Sequence, residues 1–158
     1  MKLVKAVTME KAFINLFNIY AHELSRYNPW LGTQIDLDGN YLSEDVKQYL
    51  SDKSNDAYCI IKENRPIGFV VFSYSDDADE KVCYIAEIFL LETSRGMGIS
   101  KCICKDFWSK HNGTCRLHVL KKNASAAIYW ERLIRDCGYA YEKQDHDDQM
   151  WFYEIKLT

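Results

Sequence analysis

The sequence predicts a mixed α/β fold in which about four helices flank a mostly antiparallel sheet of six to seven strands. β-rich runs that follow one another across short polar turns in mid-chain are typical of an antiparallel meander. Segments with apolar residues at helical spacing lie on both sides of that meander, which gives the order βααβββαβαββ. The chain has 158 residues, of which 47% are apolar and 27% charged, so a single domain over 1–158 is expected.

The first third of the chain is predicted to hold one strand and two helices. Lys2 to Val7 is the strand, and Thr8 can cap a helix that ends at Asn28-Pro29. One face of that helix carries apolar residues at helical spacing: Phe13, Phe17, Tyr20, Leu24 and Tyr27. Ser43 starts a short second helix with Val46, Tyr49 and Leu50 on one side.

The rest of the chain is predicted to form the meander and two helix–strand units. Strands 57–62 and 67–74 are separated by Glu63-Asn64-Arg65-Pro66, and Val82 to Leu91 is the third strand of the meander. The remaining elements are a helix over 99–111, a strand over 114–120, a helix over 123–137 and strands over 139–143 and 150–157.

The stretch Arg95-Gly96-Met97-Gly98 joins the third meander strand to the next helix. The first N–H groups of a helix have no intrahelical partners, and the helix dipole adds partial positive charge there. Two glycines leave the backbone accessible and Arg95 adds a full charge, so the loop suits a diphosphate. The alternative is a tight turn that only requires positive φ. The GxxxxGK[ST] pattern of nucleotide hydrolases is absent, and a loop after a meander does not fit a dinucleotide fold.

These residues carry a resemblance to a known family. The motif Arg95-x-x-Gly98-x-Ser100 resembles the (Q/R)xxGx(G/A) loop of the GNAT superfamily of N-acetyltransferases, with Ser100 in place of Gly or Ala. Residues 117–126 resemble the family's LxVxxxNxxA segment, and residues 64–69 resemble the hairpin before its central strand. The likeness covers roughly Ala57 to Phe152 and implies a GNAT-like sheet with a splay between its central strands.

The resemblance implies transfer of an acetyl group from acetyl-CoA to a primary amine of a small molecule or peptide, without a metal. Backbone N–H groups from Arg95 to Ser100 would hold the diphosphate. The main chain of Phe89 to Leu91 would pair with the pantetheine arm, beside a gap between Leu90 and Leu117. Asn123 would meet the amide or sulfur end, and a role as helix N-cap is equally expected. The implied cofactor-binding residues are Phe89, Leu90, Leu91, Arg95, Gly96, Met97, Gly98, Ile99, Ser100, Asn123 and Trp130.

Glu87 is the candidate catalytic base, because an amine must lose a proton before it can attack a thioester. An acid within the apolar strand YIAEIFLL costs free energy unless it is solvated, paired or catalytic. The resemblance places an acid at this position in many members. Pairing of Glu87 with Arg116 or Lys81 is the equally supported alternative.

Trp130 departs from the family pattern. Many members have Tyr at this step of the helix as the acid that protonates the CoA thiolate, and an indole cannot do so. The neighbouring Tyr129 is expected to point elsewhere, roughly 100° further round the helix. Tyr141 or Tyr153 could supply the proton, or the thiolate leaves unassisted. A non-catalytic CoA-binding or regulatory module on the same fold is therefore the second hypothesis.

The acceptor is expected to lie near the first two helices and the last hairpin. Trp30, Tyr41, Trp151 and Tyr153 are the aromatic candidates for its pocket. Acidic residues that could attract a cationic amine are Asp36, Asp38, Glu44 and Asp45, although charged loops are also simply solvated.

The composition of the chain indicates which classes of binding partner are expected. A formal net charge of −3 disfavours nucleic acid, no run is long and apolar enough for a membrane span, and a cytoplasmic protein with six reduced cysteines is expected. The spacing of Cys102, Cys104, His111, Cys115 and His118 does not favour a zinc site, and His118 should point to the face opposite Leu117. The sequence is compatible with a homodimer.

Overall fold

The computed structural model describes residues 1–28, 35–41, 44–77 and 80–157. Within those ranges the predicted order βααβββαβαββ is confirmed. The strands are β1 (Lys2–Lys5), β2 (Asn55–Lys62), β3 (Arg65–Asp77), β4 (Glu80–Leu90), β5 (Gly113–Leu120), β6 (Ala140–Asp145) and β7 (Met150–Leu157). The helices are α1 (Glu10–Ser25), α2 (Glu44–Ser51), α3 (Ile99–Ser109) and α4 (Ala124–Asp136). No helix of the described residues is long and apolar enough to cross a membrane.

The seven strands form one sheet in the order β1-β2-β3-β4-β5-β7-β6. β5 pairs antiparallel with β7 along its whole length, from Gly113↔Leu157 to Leu120↔Met150. β4 and β5 pair in parallel, and their ladder covers Val82–Tyr84 and Thr114–Arg116, although β4 continues to Leu90 and β5 to Leu120. A ladder confined to the first part of both strands agrees with the predicted splay of the sheet.

The chain folds into two compact units. The first comprises Met1–Phe72 with Glu87–Ser94, and the second comprises Ser73–Ala86 with the chain from Arg95 onward. The predicted gap between Leu90 and Leu117 involves one residue of each unit and stays a prediction. The single domain predicted over 1–158 likewise stays a prediction.

The core of the first unit is aromatic. Three aromatic side chains of α1 follow its predicted apolar face, and Phe13 and Phe17 are buried there. The ring of Phe69 lies 5.1 Å from Phe13, 5.7 Å from Phe17, 5.5 Å from Tyr20 and 5.8 Å from Phe89. Ring pairs at these separations, two of them edge to face, add to the free energy gained by removing apolar area from water. This cluster fixes the end of β4 against α1.

The core of the second unit lies between the strands β5 and β7 and the helices α3 and α4. Its fully buried side chains include Trp108 of α3, Leu117 of β5, Ile134 of α4 and Ile155 of β7. Leu117 and Val119 are buried while His118 between them is exposed, so the predicted alternation along β5 is confirmed. All six cysteines of the chain are free thiols.

Two local predictions were wrong. Thr8 does not cap α1, because residues Ala6–Met9 form a 3₁₀ helix in which the Thr8 hydroxyl donates to the Lys5 carbonyl at 2.7 Å. Pro66 lies inside β3 rather than in the turn. The hairpin turns at Glu63 and Asn64, which have φ of 51° and 60°, the left-handed values of a tight two-residue hairpin. Pro29 and Ser43 lie outside the described residues.

Candidate active site

The loop between β4 and α3 turns on its two glycines. Gly96 has φ of 76° and Gly98 has φ of 73°, a region that residues with a Cβ rarely adopt. A Cβ added at either glycine would meet no atom within 4 Å, so the space beside the backbone is open. Arg95 and Met97 are exposed on either side of Gly96. The turn therefore needs its glycines for backbone conformation, and the same glycines leave main-chain atoms accessible to a ligand.

Gly98 is also the N-cap of α3, and a glycine supplies no side-chain acceptor for the first helical N–H groups. The Cys102 N–H donates to the Gly98 carbonyl at 2.9 Å, which is the first α-helical bond. The N–H groups of Ile99, Ser100 and Lys101 therefore precede the helical hydrogen-bond pattern. Together with the helix dipole they form a donor set that favours an anion.

A side-chain contact that the sequence did not predict lies at this helix start. The Tyr129 hydroxyl is 2.5 Å from the Ser100 hydroxyl, so α4 is joined to the first turn of α3. Burial raises the pKa of Tyr129, and its bond to Ser100 opposes that rise. The Tyr129 hydroxyl is thus directed to the first turn of α3, while its ring stays in contact with the Trp130 ring.

Asn123 and Trp130 lie on the same helix with different surroundings. Asn123 is the N-cap of α4, and its side-chain oxygen accepts from the Ala126 N–H at 3.2 Å, so the predicted capping role is confirmed. The Trp130 side chain is 8% exposed and packs edge to face against the Tyr129 ring. The role of both residues in binding a cofactor stays a prediction.

Glu87 is held by two tyrosines of the first unit. The Tyr20 hydroxyl of α1 donates to Oε2 at 2.5 Å, and the Tyr49 hydroxyl of α2 donates to Oε1 at 3.0 Å. Burial raises the pKa of Tyr20 well above its usual value, and the charge of Glu87 raises it further. Tyr20 therefore remains a hydrogen-bond donor at any physiological pH. The Glu87 side chain is half-buried, and its carboxylate is oriented through both oxygens.

At the end of β4, the main-chain polar groups of every second residue point toward β3. The Leu91 N–H donates to the Ile67 carbonyl at 2.8 Å, and a Cβ on Gly68 would lie 2.0 Å from the Phe89 carbonyl oxygen. Phe89 and Leu91 therefore turn main-chain atoms toward β3. Since successive residues of a strand point their N–H and C=O groups to opposite edges, those of Leu90 face away from β3. A role of the main chain of Phe89, Leu90 and Leu91 in binding the pantetheine arm stays a prediction.

Arg116, one of the two residues predicted as alternative partners of Glu87, has other contacts. The Arg116 guanidinium donates to Asp77 at 2.8 Å and to Glu154 at 3.0 Å. His118 lies on the same face, and its ring centre is 4.6 Å from that of His146. Burial lowers the pKa of His118, and the charge of His146 lowers it further. Across the described part of the chain, no three His, Cys, Asp or Glu side chains are grouped so as to hold a metal ion.

The residues predicted for the acceptor pocket differ in burial and in their contacts. Tyr153 is fully buried, and its hydroxyl donates to Glu131 at 3.0 Å. Burial raises the pKa of Tyr153, and the bond to Glu131 raises it further. Trp151 lies between two ammonium groups, with Lys121 Nζ 4.7 Å and Lys143 Nζ 4.4 Å from its ring centre. The Tyr41 hydroxyl is 3.0 Å from His22 Nδ1. Trp30 and the side chains of Glu44 and Asp45 lie outside the described residues.

Asp36 has a structural role in its loop. Its Oδ1 accepts from the N–H groups of Asp38 and Asn40, at 3.0 and 2.8 Å. This bond pattern is the turn that aspartate side chains commonly form with the backbone two residues on. The carboxylate therefore stabilises the loop between α1 and α2 in addition to any effect on a cationic substrate.

Sequence reasoning missed three tyrosines, namely Tyr20, Tyr49 and Tyr129, as residues of the site. Two of them were placed on apolar helix faces, where they counted only as core. The sequence feature that could have identified Tyr20 and Tyr49 is the hydroxyl group, because a tyrosine on a buried helix face needs a hydrogen-bond partner. Glu87 is the acid that accepts from both.

The chain matches one protein family in sequence and several solved proteins in structure. Residues 16–139, more than half of the chain, match the model of the acetyltransferase (GNAT) family. No curated protein matches the chain in sequence. An acetyltransferase from Thermus thermophilus is similar in structure, with a TM-score of 0.67 and 16% identity over 99% of this chain and 96% of that one.

Two further solved structures share the fold. The smu.2055 protein of Streptococcus mutans UA159 has a TM-score of 0.70 and 18% identity, with full coverage of both chains. A Bacillus anthracis str. Ames protein in complex with acetyl coenzyme A has a TM-score of 0.52 and 20% identity, over 71% of this chain and 67% of that one. With a family match over most of its length and the family's sheet, this chain belongs to the GNAT family of acetyltransferases.

Proposed function

We propose that the protein transfers an acetyl group from acetyl-CoA to a primary amine of a small molecule or peptide. The observation that carries the proposal is the uncapped start of α3, where Gly96 and Gly98 at positive φ leave the backbone open to a ligand. The similar Bacillus anthracis structure, which holds acetyl coenzyme A, supports the same choice of donor.

In the second unit, the N–H groups of the loop and the first turn of α3 would bind the diphosphate. The chain has a net charge of −3, so an anionic cofactor needs local positive potential. The N-terminal dipole of α3 and the exposed Arg95 supply it. No metal is needed for this contact, because backbone donors and one cation can neutralise a diphosphate.

In the first unit, the main chain of Phe89 to Leu91 would lie along the pantetheine arm, as it would beside an added strand. The same edge of β4 carries peptide donors that could polarise the thioester carbonyl, which favours the tetrahedral intermediate. Direct attack by a positioned amine avoids a covalent enzyme intermediate and relies on orientation of the two substrates.

Glu87 would accept the proton of the attacking ammonium group, directly or through water. Its two phenol donors fix the carboxylate rotamer, which is the preorganisation that proton transfer requires. The departing CoA thiolate derives from a thiol with a pKa of about 8.5, so it can leave without a strong acid. The buried Trp130 would then shape the site rather than donate a proton.

The test is release of free CoA thiol from acetyl-CoA in the presence of a panel of amines: a polyamine, an aminoglycoside, free amino acids and peptide N-termini. Amine-dependent release that Glu87→Gln suppresses would support the proposal. Binding of acetyl-CoA without turnover on any amine would instead favour a non-catalytic CoA-binding module. The Trp130→Tyr variant separates these outcomes further, since restored release would show that only the acid is missing.

A further inference from the structure

Tyr20 and Tyr49 contact the carboxylate of Glu87 from two helices of the first unit. The Tyr20 hydroxyl of α1 donates to Oε2 at 2.5 Å, and the Tyr49 hydroxyl of α2 donates to Oε1 at 3.0 Å. An ionised carboxylate has about four acceptor sites, and the two phenols occupy two of them. The phenols alone therefore do not exhaust the capacity of Glu87 to accept from an amine or a water molecule.

The rings of both tyrosines pack on the aromatic core of the first unit. The centre of the Tyr20 ring lies 5.5 Å from that of Phe69 and 5.6 Å from that of Phe89. Both tyrosine rings also contact Phe17, Tyr20 at 5.8 Å and Tyr49 at 6.4 Å. The three phenylalanines are buried. Core packing thus fixes where the two hydroxyls lie, which is the support that a preorganised site requires.

The two donors favour the ionised form of Glu87. Partial burial of a carboxyl group disfavours its ionised form, and hydrogen bonds donated to that form favour it. Glu87 is half-buried, so its surroundings without the phenols would favour the neutral acid, which cannot take a proton from an ammonium group. The Tyr20 donor persists, because burial raises the pKa of Tyr20 well above its usual value and keeps that phenol protonated.

We propose that Tyr20 and Tyr49 are positioning residues for the acyl transfer, because their two phenols hold Glu87 in the ionised form that accepts the proton of the amine. In that step an N–H bond of the ammonium group breaks and an O–H bond forms on Glu87, while the nitrogen keeps the electron pair that attacks the thioester. The inference rests on the proposed function, since it takes Glu87 as the base. The phenols would thus set the acid limit of the reaction in addition to the orientation of the carboxylate.

The experiment is the pH dependence of kcat/KM for the best amine, measured with the full chain at saturating acetyl-CoA. Tyr20→Phe and Tyr49→Phe keep the rings and remove one donor each. In both variants the midpoint of the acid limb should rise by about one pH unit, the tenfold change expected from one hydrogen bond to a charged group. Ionisation of the amine is common to all the proteins, so a shift between them belongs to the enzyme. A purely structural defect would lower activity at every pH and leave the midpoint in place.

Tyr58→Phe is the matched control. This phenol belongs to β2 of the same unit, and the Lys5 ammonium lies 4.5 Å from its ring centre. Its removal leaves both donors of Glu87 in place, so the pH profile should match wild type in midpoint and in height.

A second readout does not need turnover. In protein labelled with ¹³C at the carboxyl carbon of glutamate side chains, the Glu87 resonance is identified by its loss in Glu87→Gln. Its titration midpoint should rise by about one pH unit in Tyr20→Phe and in Tyr49→Phe, and stay at the wild-type value in Tyr58→Phe. Thermal melts check each fold, and Tyr49→Phe alone decides the question should Tyr20→Phe fail to fold.

The inference is overturned if the carboxyl midpoint of Glu87 stays in place or falls in the folded phenylalanine variants, even where their activity drops. A carboxyl midpoint that rises without any shift of the acid limb would also contradict it, since the phenols would then hold the charge without serving the reaction. Wild-type protein that releases no CoA with any amine would overturn the proposed function itself. Turnover by wild type with unmoved midpoints in the variants would overturn only the role of the two phenols.

Discussion

At Glu87, two phenols hold both oxygens of one carboxylate, and the physical consequence differs for catalysis and for stability. In the proposed reaction the two contacts would hold the base in one rotamer, which shortens the search for a reactive geometry. For stability they satisfy a charge within an aromatic cluster, where an unpaired oxygen would be costly. The two consequences can be measured separately.

Glu87→Gln should lower kcat/KM for the best amine by about a hundredfold to ten-thousandfold, because an amide cannot accept the proton of the ammonium group. Binding of acetyl-CoA should stay within about twofold, since the side chain is assigned to proton transfer rather than to the cofactor. Steady-state kinetics with calorimetry check both values. Glu92→Gln, at an exposed position beyond β4, is the matched control and should retain wild-type activity. Full activity of Glu87→Gln would remove Glu87 from the mechanism.

Tyr20→Phe should reduce the free energy of unfolding by about 1–3 kcal/mol, because Oε2 of Glu87 loses its donor while the ring packing is kept. Urea unfolding followed by circular dichroism measures the change. Tyr27→Phe, just beyond the end of α1, should alter the free energy by less than about 0.5 kcal/mol. Equal effects in the two variants would mean that the Tyr20–Glu87 bond contributes nothing to stability.

At the scale of elements, the close approach of β3 to β4 depends on one glycine. Gly68 is buried, and its missing Cβ would lie 2.0 Å from the Phe89 carbonyl oxygen and 3.0 Å from the Leu90 Cα. Both neighbours are backbone atoms, so they can yield only if β4 itself moves. The end of β4, which carries Glu87 and Leu90, is therefore positioned by the absence of a side chain on β3.

Gly68→Ala should destabilise the fold by at least about 1–3 kcal/mol, the usual cost of overpacking a buried site, and should shift the backbone of Phe89 and Leu90. Thermal or urea unfolding gives the first value, and amide chemical shifts at the end of β4 report the second. Gly39→Ala, where φ is 83° but no atom lies within 4 Å of the new Cβ, isolates the cost of backbone conformation alone. A stable Gly68→Ala variant with unchanged β4 shifts would contradict the steric argument.

Glu131 links α4 to the last two strands and makes this region sensitive to acid. Its carboxylate accepts from Lys143 of β6 at 2.9 Å and from Tyr153 of β7 at 3.0 Å. The bond from Lys143, the largest cause, lowers the pKa of Glu131, and the bond from Tyr153 adds to it while burial opposes it. The folded value therefore lies below the unfolded value of 4.5.

Because the pKa of Glu131 is lower in the folded than in the unfolded chain, its ionised carboxylate stabilises the fold. This stabilisation is full above about pH 4.5 and is lost as the pH falls through the folded pKa of Glu131. Melting temperatures measured from about pH 6 to about pH 3 should thus fall more steeply for wild type than for Glu131→Gln. Lys143→Met, which removes the largest cause of the shift, should flatten the same part of the curve. Parallel curves for all three proteins would show that the pair does not couple to folding.

Element order could be predicted from the sequence because periodicity and turn residues are local signals. The N-cap role of Asn123 and the glycine turn at residues 96–98 were predicted for the same reason, since each depends on neighbours within one helical turn. The contacts of Tyr20, Tyr49 and Tyr129 could not be predicted. Each joins residues far apart in the chain, and only the packed fold decides which hydroxyl meets which acceptor.

At the scale of the whole molecule, the family match determines the reaction class but not the identity of the acceptor amine. The match over residues 16–139 assigns the reaction class. The expectation that the acceptor lies near the first two helices and the last hairpin stays a prediction. There the predicted aromatic residues have roles of their own, as Tyr153 bonded to Glu131 and Trp151 between two lysines show. The family match therefore supports acetyl transfer and leaves the amine to experiment.

The central claim is that open backbone N–H groups at the start of α3 bind the diphosphate of acetyl-CoA. Calorimetric titration of wild type and Gly98→Val with acetyl-CoA tests it most directly, with Gly138→Val as a second glycine of positive φ in open space that lies outside the proposed site. We expect saturable binding by wild type and by Gly138→Val, and a loss of at least about tenfold in affinity for Gly98→Val, because its side chain would occupy the space beside the donors. Absence of binding by wild type, or unchanged affinity in a folded Gly98→Val variant, would contradict the account.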